Sequence, residues 1–118
     1  MEGDKAALRD GSVFEYCKLN DMVIQAWSVL QFGYFKGNFV GNEKFKQLNQ
    51  VLNRLALKYG VSPSAIAIAW VLRYPAKMQA VVGTTNPKHL IEASQARHVN
   101  LTRKEWYEIY LAAGNDLP

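Results

Sequence analysis

Cysteine is almost absent. Cys17 stands alone among 118 residues, so one copy of the chain can form neither an internal disulfide nor a cysteine zinc site, and a reducing cytoplasm is the natural compartment. No apolar run is long enough to span a bilayer, and residues 1–8 lack the apolar core of a signal peptide. There is no Gly-rich dinucleotide fingerprint, internal repeat, low-complexity segment or linker. Basic residues outnumber acidic ones by 14 to 10 but are scattered, so the net charge of +4 fits an anionic ligand or plain solubility better than nucleic acid. What the chain does have is apolar material: 49% hydrophobic residues, with three Trp, six Tyr and five Phe, enough for a globular core. Its length is one domain's worth at most, or a piece of a larger domain.

Periodicity and punctuation predict the order of elements. After an unassigned polar opening up to Gly11, Ser12 and Glu15 have the spacing of a capping box and predict a helix to about Leu19. Residues 22–27 predict a buried strand. Residues 28–42 form a long aromatic loop with glycines at 33, 37 and 41, a length associated with function or mobility. Phe45, Leu48, Leu52, Leu55 and Tyr59 then line one face of a helix ended by Gly60. Ser62 and Pro63 open a second helix, apolar almost all round from Ala65 to Leu72 and therefore expected to be buried on most sides. Residues 79–82 predict the second strand. A helix from Pro87 to about Ala96 comes next, and a capping box at Thr102 and Glu105 opens a last helix through Leu111, stopped by Gly114.

The most informative stretch runs from Val81 to Ala93. Val81 and Val82 read as the end of the strand, Gly83 breaks it and admits close backbone approach, and Asn86 with Pro87 starts a helix. The hydroxyls of Thr84 and Thr85, the first-turn N–H groups of Lys88 and His89, and the positive end of the helix then converge on one small volume suited to a phosphate. The plain alternative is an ordinary strand–turn–helix joint. Two strands separated by helices should lie parallel in one sheet, yet two parallel strands leave two hydrophobic edges open. The pattern is that of part of a larger assembly.

Three units in one order carry a resemblance: Ile24 to Leu30, reading Ile-Gln-Ala-Trp-Ser-Val-Leu; the helix from Val61 to Leu72; and the turn Val82-Gly83-Thr84-Thr85-Asn86-Pro87. Together they resemble the C-terminal part of an aldo-keto reductase, close to the bacterial oxidoreductases of that superfamily, over nearly the whole chain from about Gly11. The resemblance implies an α/β fold, the last two parallel strands of a (β/α)8 TIM barrel with their helices, in an oxidoreductase that reduces small carbonyl substrates with NADP(H). Barrels commonly bind phosphate with the loops after their last two strands, which agrees with the reading of the turn at Gly83.

By the same resemblance, Trp27 matches the aromatic position that stacks on the nicotinamide ring, and Ser28 and Leu30 match positions along the pyrophosphate. Val29 stands where many relatives have proline. Thr84 and Thr85 fall around the adenosine 2′-phosphate, and His89 falls where several relatives place an arginine against it, making a weaker cation there. Glu92 matches a carboxylate that accepts from the adenine amino group, while Ala93 replaces a frequent asparagine. The family's catalytic Tyr, Lys and Asp lie in the N-terminal half of the barrel and match no residue of this chain. No catalytic residue, no metal site and no activity of the isolated chain are therefore expected. His98 reads as a helix-end cation.

Two readings from other classes stand beside this one. Residues 55–72 have the outline of a helix-turn-helix, but the second helix offers no Arg, Asn or Gln to base edges before Arg73. A non-catalytic interaction module, self-associating through open sheet edges, fits the two-strand pattern.

Overall fold

The computed structural model describes residues 11–33 and 36–117; the polar opening stretch and Tyr34 lie outside them. The first helix, α1 (Ser12–Leu19), begins one residue earlier than the capping-box reading requires. Gly11 occupies the cap in a left-handed conformation (φ 74°) without a side-chain cap bond, and Ser12 is already helical. Asp21, also left-handed at φ 54°, then turns the chain into β1 (Ile24–Ala26).

Both strands are shorter than predicted. β1 pairs in parallel with β2 (Met78–Ala80), in register Ile24 with Met78, Gln25 with Gln79 and Ala26 with Ala80. The ladder is lengthened by the Ile24 N–H donating to Lys77 O and the Val81 N–H to Ala26 O, each at 2.8 Å. The strand predicted at 79–82 therefore starts and ends sooner in the chain, and Val81 is exposed. Alternation, not a fully buried run, governs both strands: Ile24, Ala26, Met78 and Ala80 are half-buried, while Gln25 and Gln79 face out and join through their amides at 3.1 Å. The expectation of buried strands fails because one face of the sheet, with Gln25 and Gln79, is exposed, while the other is half-buried and β2 packs on α3.

The helices supply the core. A turn of 3₁₀ helix, Glu43–Phe45, leads into α2 (Lys46–Tyr59), which ends at Gly60 with φ 65° as the left-handed cap requires. In α3 (Pro63–Leu72) the Ser62 hydroxyl accepts from the Ala65 N–H, and five consecutive residues, Ala65 to Ala69, are buried. α2 and α3 meet at 93°, an angle compatible with a helix-turn-helix. The second helix of that outline, however, is the centre of the core, packed against α2, β2 and the later helices. α4 (Pro87–Ser94) ends two residues short of the predicted Ala96 and passes into a 3₁₀ turn, Gln95–His98. The last helix is α5 (Arg103–Ala112). No single described helix is long and apolar enough to cross a membrane.

Two polar devices lock α5 to the core. Trp70 of α3 and Trp106 of α5 stack at 4.7 Å with planes 9° apart, and each indole N–H donates to the other residue's backbone carbonyl at 3.0 Å. Glu105 completes the predicted capping box with Thr102 and does more besides. It is 6% exposed, and its carboxylate accepts from the Lys58 ammonium, the Tyr59 hydroxyl (2.7 Å) and the Thr102 N–H (2.8 Å). Burial alone would raise its pKa; the contacts with Lys58, the Thr102 backbone, Tyr59 and the Thr102 side chain outweigh this and hold it at about 2. The Tyr59 hydroxyl moves the other way, to about 12, through burial and then through its bond to Glu105 and that residue's charge.

A carboxyl that titrates lower in the folded chain stabilises it fully above the unfolded value, near pH 4.5, and loses that contribution as pH falls through about 2. Denaturant midpoints should therefore fall across this window. Glu105→Gln should cost on the order of 3 kcal/mol at neutral pH and flatten the acid limb of the profile. An acid limb of the same depth in the variant would show that other carboxylates carry the dependence.

Candidate functional site

Both strands point their C-terminal ends at one cleft of about 490 Å³, within the range of small-molecule sites. One wall is the segment leaving β1, from Trp27 to Gln31, and the other is the segment leaving β2, from Val81 to Thr84. Ser64 and Ile68 of α3 and His89, Glu92 and Ala93 of α4 close the ends, and Gly37 and Asn38 reach in from the long loop. The two walls adjoin because β1 and β2 are paired in register, so the backbone leaving Ala26 and the backbone leaving Ala80 emerge side by side.

Seven of the nine predicted site residues line this cleft: Trp27, Ser28, Leu30, Gly83, Thr84, His89 and Glu92. Thr85 and Lys88 do not. Trp27 is 69% exposed, leaving the indole free at the rim. Ser28 takes a left-handed backbone (φ 54°) two residues after the strand, an uncommon conformation for a residue with a Cβ, and its carbonyl accepts from the Gln31 N–H at 2.9 Å to close a tight turn. No sequence signal marks this turn, since serine is not a left-handed residue by preference. Gly83 lies beside open space: a Cβ built there would meet nothing within 4 Å.

Asn86 caps the helix and Pro87 takes its first position, as the sequence reading has it, but the cap consumes a donor expected to face Gly83. The Asn86 side chain accepts from the Lys88 N–H at 3.0 Å, and the Asn86 carbonyl accepts from the Leu90 N–H at 3.1 Å. The Lys88 N–H is thus consumed by its own cap and does not face Gly83, because asparagine at this position satisfies that donor itself. Pro87 has no N–H, which leaves the His89 N–H as the first-turn donor with no protein acceptor among the described residues. Thr84 Oγ accepts from the Asn86 N–H at 3.1 Å and retains its own proton to donate. The arrangement offers one backbone N–H, one hydroxyl, one imidazole and the helix dipole, a smaller set than the sequence predicts.

His89 and Glu92 are the titratable side chains lining the cleft among the described residues, and no described tyrosine lines it. Tyr59 is committed to Glu105, Tyr107 and Tyr110 stand in the aromatic stack around Trp106, and Tyr74 packs on Phe14. His98 sits in the last turn of the 3₁₀ segment, beside Arg97 and away from the cleft. No group of three metal-ligating side chains occurs among the described residues.

The residue that sequence reasoning missed is Asn49. It is 8% exposed on α2, and its side chain bonds four backbone groups of the long loop and its continuation. Asparagine on a helix whose apolar face is otherwise regular reads as an outward polar residue, and only the loop's folding over α2 turns it inward.

Comparison with known proteins matches this geometry. The family model described as "Aldo/keto reductase family" matches residues 7–112. A 6-dehydroglucose reductase of Agrobacterium fabrum is 38% identical over 94 residues, 78% of this chain and 30% of that protein. The oxidoreductase YdhF of Escherichia coli is 30% identical over 95 residues, again 30% of its length. Among solved structures, the thermostable aldo-keto reductase Tm1743, determined with the inhibitor epalrestat, superposes with a TM-score of 0.65 at 23% identity, covering 91% of this chain and 34% of that one. An aldo-keto reductase from a deep-sea metagenome library gives 0.59 at 16% identity, covering 98% and 38%. The chain thus spans about a third of the length of the relatives it matches, and its two parallel strands with their helices are part of an aldo-keto reductase barrel. A cleft at the C-terminal ends of paired parallel strands, in a chain matched over most of its length by one family model, makes this polypeptide a member of the aldo-keto reductase family.

Proposed function

We propose that residues 1–118 are the C-terminal, cofactor-binding portion of an NADP(H)-dependent aldo-keto reductase, a cytoplasmic enzyme whose complete barrel reduces a small carbonyl compound. The observation that carries this reading is the convergence of Trp27, Ser28 and Leu30 from one strand end with Gly83, Thr84, His89 and Glu92 from the other on a single cleft. The donors fit a dinucleotide: a free indole face at one end, and a hydroxyl, an unpaired helix-start N–H and an imidazole at the other.

In this reading Trp27 supports the nicotinamide ring and the turn at Ser28 and Leu30 runs along the pyrophosphate. Thr84 and His89 meet the adenosine 2′-phosphate with Lys88 adding positive potential, and Glu92 accepts from the adenine amino group. The bound nicotinamide supplies hydride chemistry. The chain's own residues bind and orient, and the proton for the carbonyl oxygen comes from elsewhere in the barrel, since no described tyrosine lines the cleft.

Two outcomes check this. In NMR titrations, adenosine 2′,5′-bisphosphate should shift the amides of Thr84, His89 and Leu90 more than AMP does, with an affinity near millimolar, about −4 kcal/mol. His89→Arg adds a permanent, fork-shaped cation and should strengthen the bisphosphate about tenfold while leaving AMP nearly unchanged. Equal gains for both ligands would remove His89 from the 2′-phosphate, and shifts confined to other parts of the chain would remove the cleft. Separately, the purified chain incubated with NADPH and a panel of aldehydes should show no oxidation above buffer. Turnover that a point change in this chain abolishes would contradict the division of roles.

A further inference from the structure

The long loop after β1 folds back on itself. The Phe39 N–H donates to Leu30 O at 3.1 Å, the Phe32 N–H to Gly37 O at 3.3 Å, and Gln31 and Asn38 form an antiparallel bridge. Its outgoing limb, Ser28 to Gln31, is a wall of the cleft, so the position of that wall depends on what fixes the returning limb. Asn49 fixes it. Its amide Nδ2 donates to Phe39 O (2.9 Å), Phe45 O (3.0 Å) and Asn42 O (3.1 Å), two hydrogens shared among three carbonyls, while its Oδ1 accepts from the Gly41 N–H at 2.7 Å. Gly41 reaches that oxygen from a left-handed backbone (φ 77°). Phe45 packs between Phe32 of one limb and Phe39 of the other, at 5.0 and 6.3 Å, so both limbs are also tied through one ring.

We infer that Asn49 is a positioning residue for the nicotinamide half of the cofactor cleft: from inside the core it sets the returning limb, which through the Leu30–Phe39 and Gln31–Asn38 pairings sets the wall that a dinucleotide must lie along. The inference rests on the cofactor reading of the cleft. It assigns the two halves of the cleft to different supports. The adenosine half, Gly83 to Glu92, stands on β2 and α4 and, among the described residues, has no hydrogen bond to Asn49 or its loop.

The variants are Asn49→Ala, which removes all four bonds, and Gly41→Ala, an exposed position where a Cβ meets nothing but the left-handed backbone is disfavoured, so that the loop shifts while the helix core stays intact. Each is titrated with NADP+ and with adenosine 2′,5′-bisphosphate, and amide hydrogen exchange is measured without ligand. Both variants should lose about tenfold or more in NADP+ affinity while the bisphosphate stays within about twofold of wild type. Exchange at Gln31, Phe32 and Phe39, whose N–H groups make the bonds of the outgoing turn and the limb pairing, should quicken while Asn86 and Leu90 are unchanged. Equal losses for both ligands, or quickened exchange in both halves, would make Asn49 a general stability residue and overturn the inference. Unchanged exchange at Phe32 and Phe39 would also overturn it. If wild type itself binds neither ligand in the cleft, the cofactor reading fails, and the exchange pattern alone still decides whether Asn49 positions the wall.

Discussion

Five consecutive buried residues, Ala65 to Ala69, leave α3 without a solvent face along its first turns, so the other elements must close around it. Ile66 and Ile68 carry the apolar area, on the order of 1.5–3 kcal/mol each. Ala65, Ala67 and Ala69, which alternate with them, keep the surface flat enough for α2, α4 and β2 to approach together. That enclosure fixes where β2 runs, and the three-residue parallel register with β1 then fixes where the chain after Ala26 meets the chain after Ala80. The cleft is a consequence of the burial of one helix.

Around this apolar centre the structure uses a few fully bonded polar groups at joints where shape alone would not choose a geometry. The reciprocal Trp70–Trp106 pair fixes the rotation of α5 against α3, since each indole N–H has one carbonyl to reach. Glu105 joins the start of α5 to the end of α2 through Thr102, Tyr59 and Lys58. Asn49 does the same for the loop. No buried side-chain polar atom among the described residues lacks a partner, the condition under which buried polar groups specify a geometry without an uncompensated desolvation cost.

What the sequence revealed divides along the line between local and long-range causes. Helix ends set by near neighbours were legible: Gly60 as a left-handed cap, Ser62 as an N-cap, Thr102 with Glu105 as a capping box. Seven of the nine proposed site residues reach one cleft because the segments leaving two paired parallel strands lie side by side and a readable helix start follows one of them. The strand limits were not legible, because Val81 and Val82 are apolar whether or not a neighbour pairs with them. The Lys88 N–H was misassigned for a local reason: the cap that starts the helix also consumes that donor. Asn49 and the indole pair were invisible, since their partners lie in segments whose approach depends on the whole fold.

The proposed role of the cleft requires one dinucleotide to lie across both strand ends, its nicotinamide at Trp27 and its adenine at Glu92. Nuclear Overhauser contacts between bound NADP+ and the isotope-labelled chain measure this directly. Contacts from the nicotinamide protons to the Trp27 indole are expected together with contacts from the adenine protons to Glu92 and Ala93. Adenine contacts at Glu92 with the nicotinamide touching neither Trp27 nor Leu30, or both rings held elsewhere on the chain, would contradict it.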